Sequence, residues 1–184
     1  MNRRVAAIIL AAVAATGLAA CDSGGGTTAP GASSATSASV APDPAGAVPT
    51  GISVPIGGWD LAFAPTARDA SAAIKAVDPA GKPPAAGQQF VMVTITAKNS
   101  GPDKANPAAG LTFSFTGSDG VQYGLGQAAP CGMIPNDLTK FTDVPPGETV
   151  NGTVCEVVPT GAINGGSWLA AAATGGMKLT YGLG

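Results

Sequence analysis

Three side chains in this chain stand out for their reactivity: Cys21, Cys131 and Cys155. No histidine accompanies them. That removes the usual general base, the commonest metal ligand and the usual pH switch together. A Ser-His-Asp triad is therefore impossible, and no G-x-S-x-G elbow occurs. Carboxylates remain as acid–base groups. The two glutamates are Glu148, in a Pro-Gly turn, and Glu156, assigned to the outer face of a strand. They make a poor pair for glycoside hydrolysis, which needs two carboxyl groups facing one bond. Asp103 and Asp119 lie in turn segments without D-x-D-x-D-G spacing, which reads as turn formation rather than Ca²⁺ binding. Asn151-Gly152-Thr153 fits a glycosylation sequon, read here as incidental. The expectation is a non-enzyme with no metal and no cofactor. The formal charge is −2, and no basic patch is visible, so nucleic acid is not an expected partner.

The placement of the cysteines depends on the segments around them. Residues 1–20 have the three parts of an export signal. Arg3 and Arg4 supply the positive end, Val5 to Thr16 the apolar run, and Ala19 and Ala20 the small residues before a cleavage point. The apolar run is short for a membrane span, which needs about 20 residues. Leu18-Ala19-Ala20-Cys21 resembles the bacterial lipobox. That resemblance implies a diacylglyceryl group on the Cys21 thiol, with Cys21 becoming the first residue after processing. It also implies a location on the extracytoplasmic face of a cell membrane, lipid-anchored. Two or more acyl chains give a stable anchor. Without Arg3 and Arg4 the chain carries seven basic against eleven acidic residues.

Lipidation of Cys21 leaves Cys131 and Cys155 as an even pair in an oxidising compartment, where a disulfide is expected. The alternatives are a redox-active pair and a thiolate metal site. Against them stand the lack of CxxC spacing, of a neighbouring histidine and of further ligands.

Residues 21–56 are dominated by Ala, Ser, Thr, Gly and Pro, with no aromatic residue. Such a stretch buries too little apolar area to offset its ordering entropy, and reads as a disordered tether. About 34 residues of it would reach roughly 30–35 Å. Its Ser/Thr/Pro content also suits O-glycosylation.

From residue 57 to 184 the pattern is short strands separated by turns. In "QQFVMVTITAKN", Val91, Val93, Ile95 and Ala97 alternate with Phe90, Met92, Thr94, Thr96 and Lys98, a period-two strand. Leu111, Phe113 and Phe115 share a face in "LTFSFT", and Ser118-Asp119-Gly120 turns the chain back into "VQYGL". Pro146-Gly147 suits a type II turn leading into a strand over Val150–Val158. There Thr153, Cys155 and Val157 are assigned to the inner face. "WDLAFAP", "SWLAAAA" and "MKLTYGL" supply further strands, with Trp59 and Trp168 in the core. Residues 69–77 fit either a strand or a short helix. Seven to nine such strands predict an all-β, antiparallel sandwich.

"GQQFVMVTITAKNSG", "FTGSDGVQYGL" and "VPPGETVNGTVCEVVP" together resemble the DUF4352 / MPT63-like immunoglobulin-like domain of bacterial secreted proteins and lipoproteins. Lys98-Asn99, Asp119-Gly120 before Tyr123, Pro146-Gly147-Glu148 and the Gly152 to Val157 stretch carry the likeness. Cys155 departs from it, standing where an aromatic core residue is common. The resemblance implies an immunoglobulin-like sandwich and supplies no catalytic residue.

These features predict a non-catalytic binding or interaction module of the bacterial cell envelope. Its partners would be the membrane, through the lipid, and an envelope protein, glycan or small apolar ligand. Phe90 and Met92, facing away from the assigned core, are the candidate binding surface. The competing readings are an accessory lipoprotein serving a transporter or sensor, and a carboxylate-based hydrolase. The anchor has a direct test. Cells fed a palmitate analogue should label the wild-type chain, and Cys21→Ala should abolish the label. Equal labelling of the two would remove Cys21 as the anchor.

Overall fold

The computed structural model describes residues 44–124 and 130–184. The export signal, Cys21 and most of the expected tether lie outside the described residues. Eight strands among the described residues form two four-stranded sheets. β1 (Val54–Ile56), β2 (Trp59–Phe63), β3 (Gln88–Asn99) and β6 (Thr149–Pro159) are adjacent in that order in one sheet. The other runs β5 (Gln122–Tyr123), β4 (Leu111–Thr116), β7 (Ser167–Ala172) and β8 (Lys178–Tyr181). All pairings between these strands are antiparallel. With β1 taken as an extra edge strand paired to β2, the sheets correspond to A-B-E and C′-C-F-G of an immunoglobulin-like sandwich.

The β-branched alternation that defines β3 acts as expected. Val91, Val93, Ile95 and Ala97 are buried between the sheets with Trp59, Leu61, Phe63, Phe115 and Trp168. Aromatic rings organise that core. Phe63 stacks on Tyr181 at 4.0 Å between centroids, and Phe115 meets Trp168 edge-on at 5.4 Å. Two buried polar tips are tied down: Tyr181 Oη donates to the Leu61 carbonyl and Trp168 Nε1 to Thr66 Oγ1. The turn before β6 is as read. Gly147 has φ 77°, and the Glu148 amide donates to the Pro145 carbonyl at 3.1 Å.

Two expectations are corrected and one open alternative is resolved. The tether does not extend to residue 56. Val48 bridges Tyr181 and Val54–Ile56 pair with β2, because their backbone groups find partners at the sheet edges. Residues 69–77 contain a helix, α1 (Ser71–Val77). Asp69 Oδ1 accepts the Ser71 amide at its start, and Ile74 is its buried anchor. The faces of β6 are also the reverse of those assigned. Val91 lies opposite Glu156 and Met92 opposite Cys155. Val154, Glu156 and Val158 therefore share the inter-sheet side with Val91 and Val93. Thr153, Cys155 and Val157 look outward. A one-residue error of phase moves every side chain of a strand to the other face.

Cys131 and Cys155 are bonded, with Cα atoms 6.1 Å apart and a sequence separation of 24. Closing a loop of that length stabilises by about 3.5 kcal/mol in the chain-entropy model. The Cys131→Ala/Cys155→Ala double variant should lose about that much in urea unfolding. A loss under about 1 kcal/mol would show that the bridge does not constrain the unfolded chain.

Candidate binding cavity

One end of the sandwich edge is left open. β6 is the last strand of its sheet, and on the facing sheet β5 is two residues long. The connection leading to a 3-10 turn (Leu138–Lys140) crosses this gap and is fastened to β6 at several points. Cys131 is bonded to Cys155. The Thr153 amide donates to the Asn136 carbonyl at 2.8 Å, and Thr153 Oγ1 donates to the Pro135 carbonyl. Leu138 sits directly on Gly152, where an added Cβ would come within 2.8 Å of the Leu138 Cα. Asp137 Oδ1 accepts from the Thr139 amide and hydroxyl and so caps the turn.

Beneath this connection lies a half-open cavity of about 300 Å³. Leu111 and Phe113 of β4, Val154 of β6 and Leu138 supply apolar wall, the disulfide closes one side, and Glu156 and Asp137 bring carboxyl groups. No Lys or Arg is among the described residues that line it.

Glu156 is the unusual member. Only 5% of it is exposed, and it makes no hydrogen bond or ion pair to a described side chain. Gly124, at φ 96°, passes so close that a Cβ there would overlap the Glu156 carboxyl. This is a position only glycine fills, for reasons of conformation and of space. Burial pushes the Glu156 carboxyl up to about 7, with desolvation as the cause. At neutral pH the group is poised between its charged and neutral forms. Among the described residues no three His, Cys, Asp or Glu side chains gather into a metal-binding group. The chemistry on offer is recognition by one carboxyl in an apolar cleft.

The candidate surface at Phe90 and Met92 is not a surface. Their exposures are 5% and 9%. Both pack in a second cluster with Ala70, Ile74, Cys131 and Cys155. Residues 67–70 pair alongside β3, the Ala67 amide donating to the Met92 carbonyl and the Ala70 amide to that of Phe90, and α1 then packs Ile74 against the outward Phe90 and Met92. Both faces of β3 are thus covered at Phe90 and Met92, so a large apolar side chain there is core. Asp119 is a turn former, as read: its carboxylate accepts from the Val121 amide and the Tyr123 hydroxyl. Those bonds hold the Asp119 carboxyl below the usual range. Cys21 lies outside the described residues.

The sequence reading missed Glu156 as a site residue. The signal was present: Val150, Gly152, Val154 and Val158 share its parity, a more aliphatic face than Thr149, Asn151, Thr153, Cys155 and Val157.

No family model matches the chain, and no curated protein matches it. Two solved structures are similar. One is a conserved hypothetical protein from Bacillus anthracis, with TM-score 0.43 and 14% identity over 73% of this chain and 93% of that one. The other is an uncharacterized β-sandwich protein from Clostridium difficile, with TM-score 0.45 and 13% identity over 73% and 91%.

Glu156 makes stability depend on pH in a definite direction. Its carboxyl is protonated more readily in the folded chain than in the unfolded one, whose ordinary value is 4.5. The folded state therefore binds the extra proton between about pH 4.5 and 7, and this contribution to stability falls as pH rises through that window. The loss should be about 2 kcal/mol, less than full conversion of the shift because solvent reaches the cavity mouth. Glu156→Gln should remove that slope, leaving stability at pH 5 nearly unchanged and raising it at pH 8. Urea unfolding at both values measures it. Parallel curves for the two proteins would mean that the carboxyl is solvated.

Proposed function

We propose that the protein is an exported lipoprotein, held on the outer face of a bacterial membrane through Cys21. Its immunoglobulin-like domain acts there as a non-catalytic binding module for a small ligand. The observation that carries the binding reading is the cavity at the open sheet edge, with the largely buried Glu156 lining it. A concave cleft that joins apolar side chains to convergent polar groups is the ordinary form of a small-ligand site, and about 300 Å³ lies at the small end of that range. Support for the anchor is Leu18-Ala19-Ala20-Cys21 after an export signal. No described helix is long and apolar enough to cross a membrane. The strand patterns favour the DUF4352 / MPT63-like group as the lineage. The tether, beginning after Cys21 and ending before Val48, sets the domain off from the membrane.

The test is a thermal-shift screen of the detergent-extracted protein against small cations, anions and neutral molecules, beside a Val154→Phe variant that fills the cavity. A ligand present at about 100 times its Kd adds about 2.7 kcal/mol to stability. Hits should raise the Tm of the wild type and leave Val154→Phe unmoved. If no class of compound shifts the wild type, or the variant responds equally, the cavity is not a binding site.

A further inference from the structure

The cavity also specifies the charge of what it holds, an inference that rests on the binding reading above. Its titratable lining among the described residues is Asp137 and Glu156, both acidic, with no cation to balance either. Asp137 is engaged by Thr139 in capping the turn. Glu156 has no such engagement, and it is 5% exposed. A carboxylate drawn largely out of water is costly, and a cation brought to it from the cavity recovers that cost through a charge-assisted bond. An anion would meet like charge and no donor side chain of opposite sign. A bare metal ion would find one free carboxylate, far short of the six to eight oxygens that Ca²⁺ takes. Leu111, Phe113, Leu138 and Val154 offer apolar contact beside the carboxyl, which rewards a ligand with a hydrocarbon body.

We propose that the cavity takes a small organic cation, an alkylammonium whose nitrogen pairs with the Glu156 carboxylate while its hydrocarbon part lies on Leu111, Phe113, Leu138 and Val154.

The proposal separates hexylammonium, hexanol and hexanoate, which share a body and differ in head group. With the detergent-extracted protein at pH 8, calorimetry should find hexylammonium bound at least about tenfold more tightly than hexanol, since a hydrogen bond to a charged group contributes enough for that factor. Hexanoate should bind most weakly. Glu156→Gln should erase the advantage of the amine and leave hexanol binding intact. Lowering the pH from 8 to 6 should weaken the amine about tenfold in the wild type, because only the ionised carboxylate is competent, and should not affect it in Glu156→Gln. Equal binding of amine and alcohol, or an amine preference that survives Glu156→Gln, overturns the cation proposal while the binding reading stands. If none of the three binds, while the screen above finds another ligand, the cation proposal alone falls. If that screen also finds nothing, the binding reading falls with it.

Discussion

The structure depends on one long strand pair. β3 and β6 run antiparallel from Gln88 opposite Pro159 to Lys98 opposite Thr149. A ladder of this length fixes register for both strands, and register decides which side chains enter the sandwich. Around Phe90, Met92 and Cys155 the pair is also covered on both sides. Val91, Val93 and Glu156 face the opposing sheet, while Phe90, Met92 and Cys155 face α1 and the disulfide-bonded connection. Two hydrophobic clusters thus share one two-stranded wall. That arrangement suits a chain with five Phe, two Trp and two Tyr, because each apolar residue of the pair is buried or half-buried whichever way it points.

The same pair sets the position of the cavity. β6 ends its sheet, so its far side has no further strand to hide behind. Sheet edges need covering, and here the cover is an irregular connection rather than a strand. It is held by the disulfide, by the backbone bond from Thr153 to Asn136, and by the close seating of Leu138 on Gly152. An irregular cover cannot pack as closely as a strand. The remaining space is the cavity, and Glu156 enters it because the register leaves no alternative.

Much of this was legible in the sequence, and the failures share a cause. The strands and the type II turn at Pro146-Gly147 follow from local chemistry, alternation and φ preference, and the bonding of Cys131 to Cys155 matches the expected pairing. What failed was long-range. Phe90 and Met92 read as exposed because alternation assumes one buried face, and nothing local announces that α1 will pack over the other. Glu156 read as solvent-facing because a carboxylate in a strand normally is. Cys155, assigned to the inner side, belongs to the second cluster. Val54–Ile56 was lost to the tether because three residues amid Gly and Pro carry no periodicity; pairing with β2 supplies their order.

Cys155 and Glu156 are neighbours in the chain and point to opposite faces, and their energetics oppose each other. Desolvation of the Glu156 carboxyl at neutral pH works against folding by an amount of order 2 kcal/mol. The bridge from Cys155 contributes about 3.5 kcal/mol in the opposite sense. The bridge therefore more than offsets the carboxyl, and does so at the adjacent residue, where it also holds the cover that keeps the carboxyl from water. Gly124 reinforces the point, since a side chain at that position would occupy the space of the Glu156 carboxyl. A strand selected for packing alone would carry a valine at 156, continuing Val150, Val154 and Val158. A group that breaks the local rule, with its surroundings shaped to accommodate it, is the pattern by which a fold sacrifices stability at a working site. In this molecule that exception lies inside the cavity.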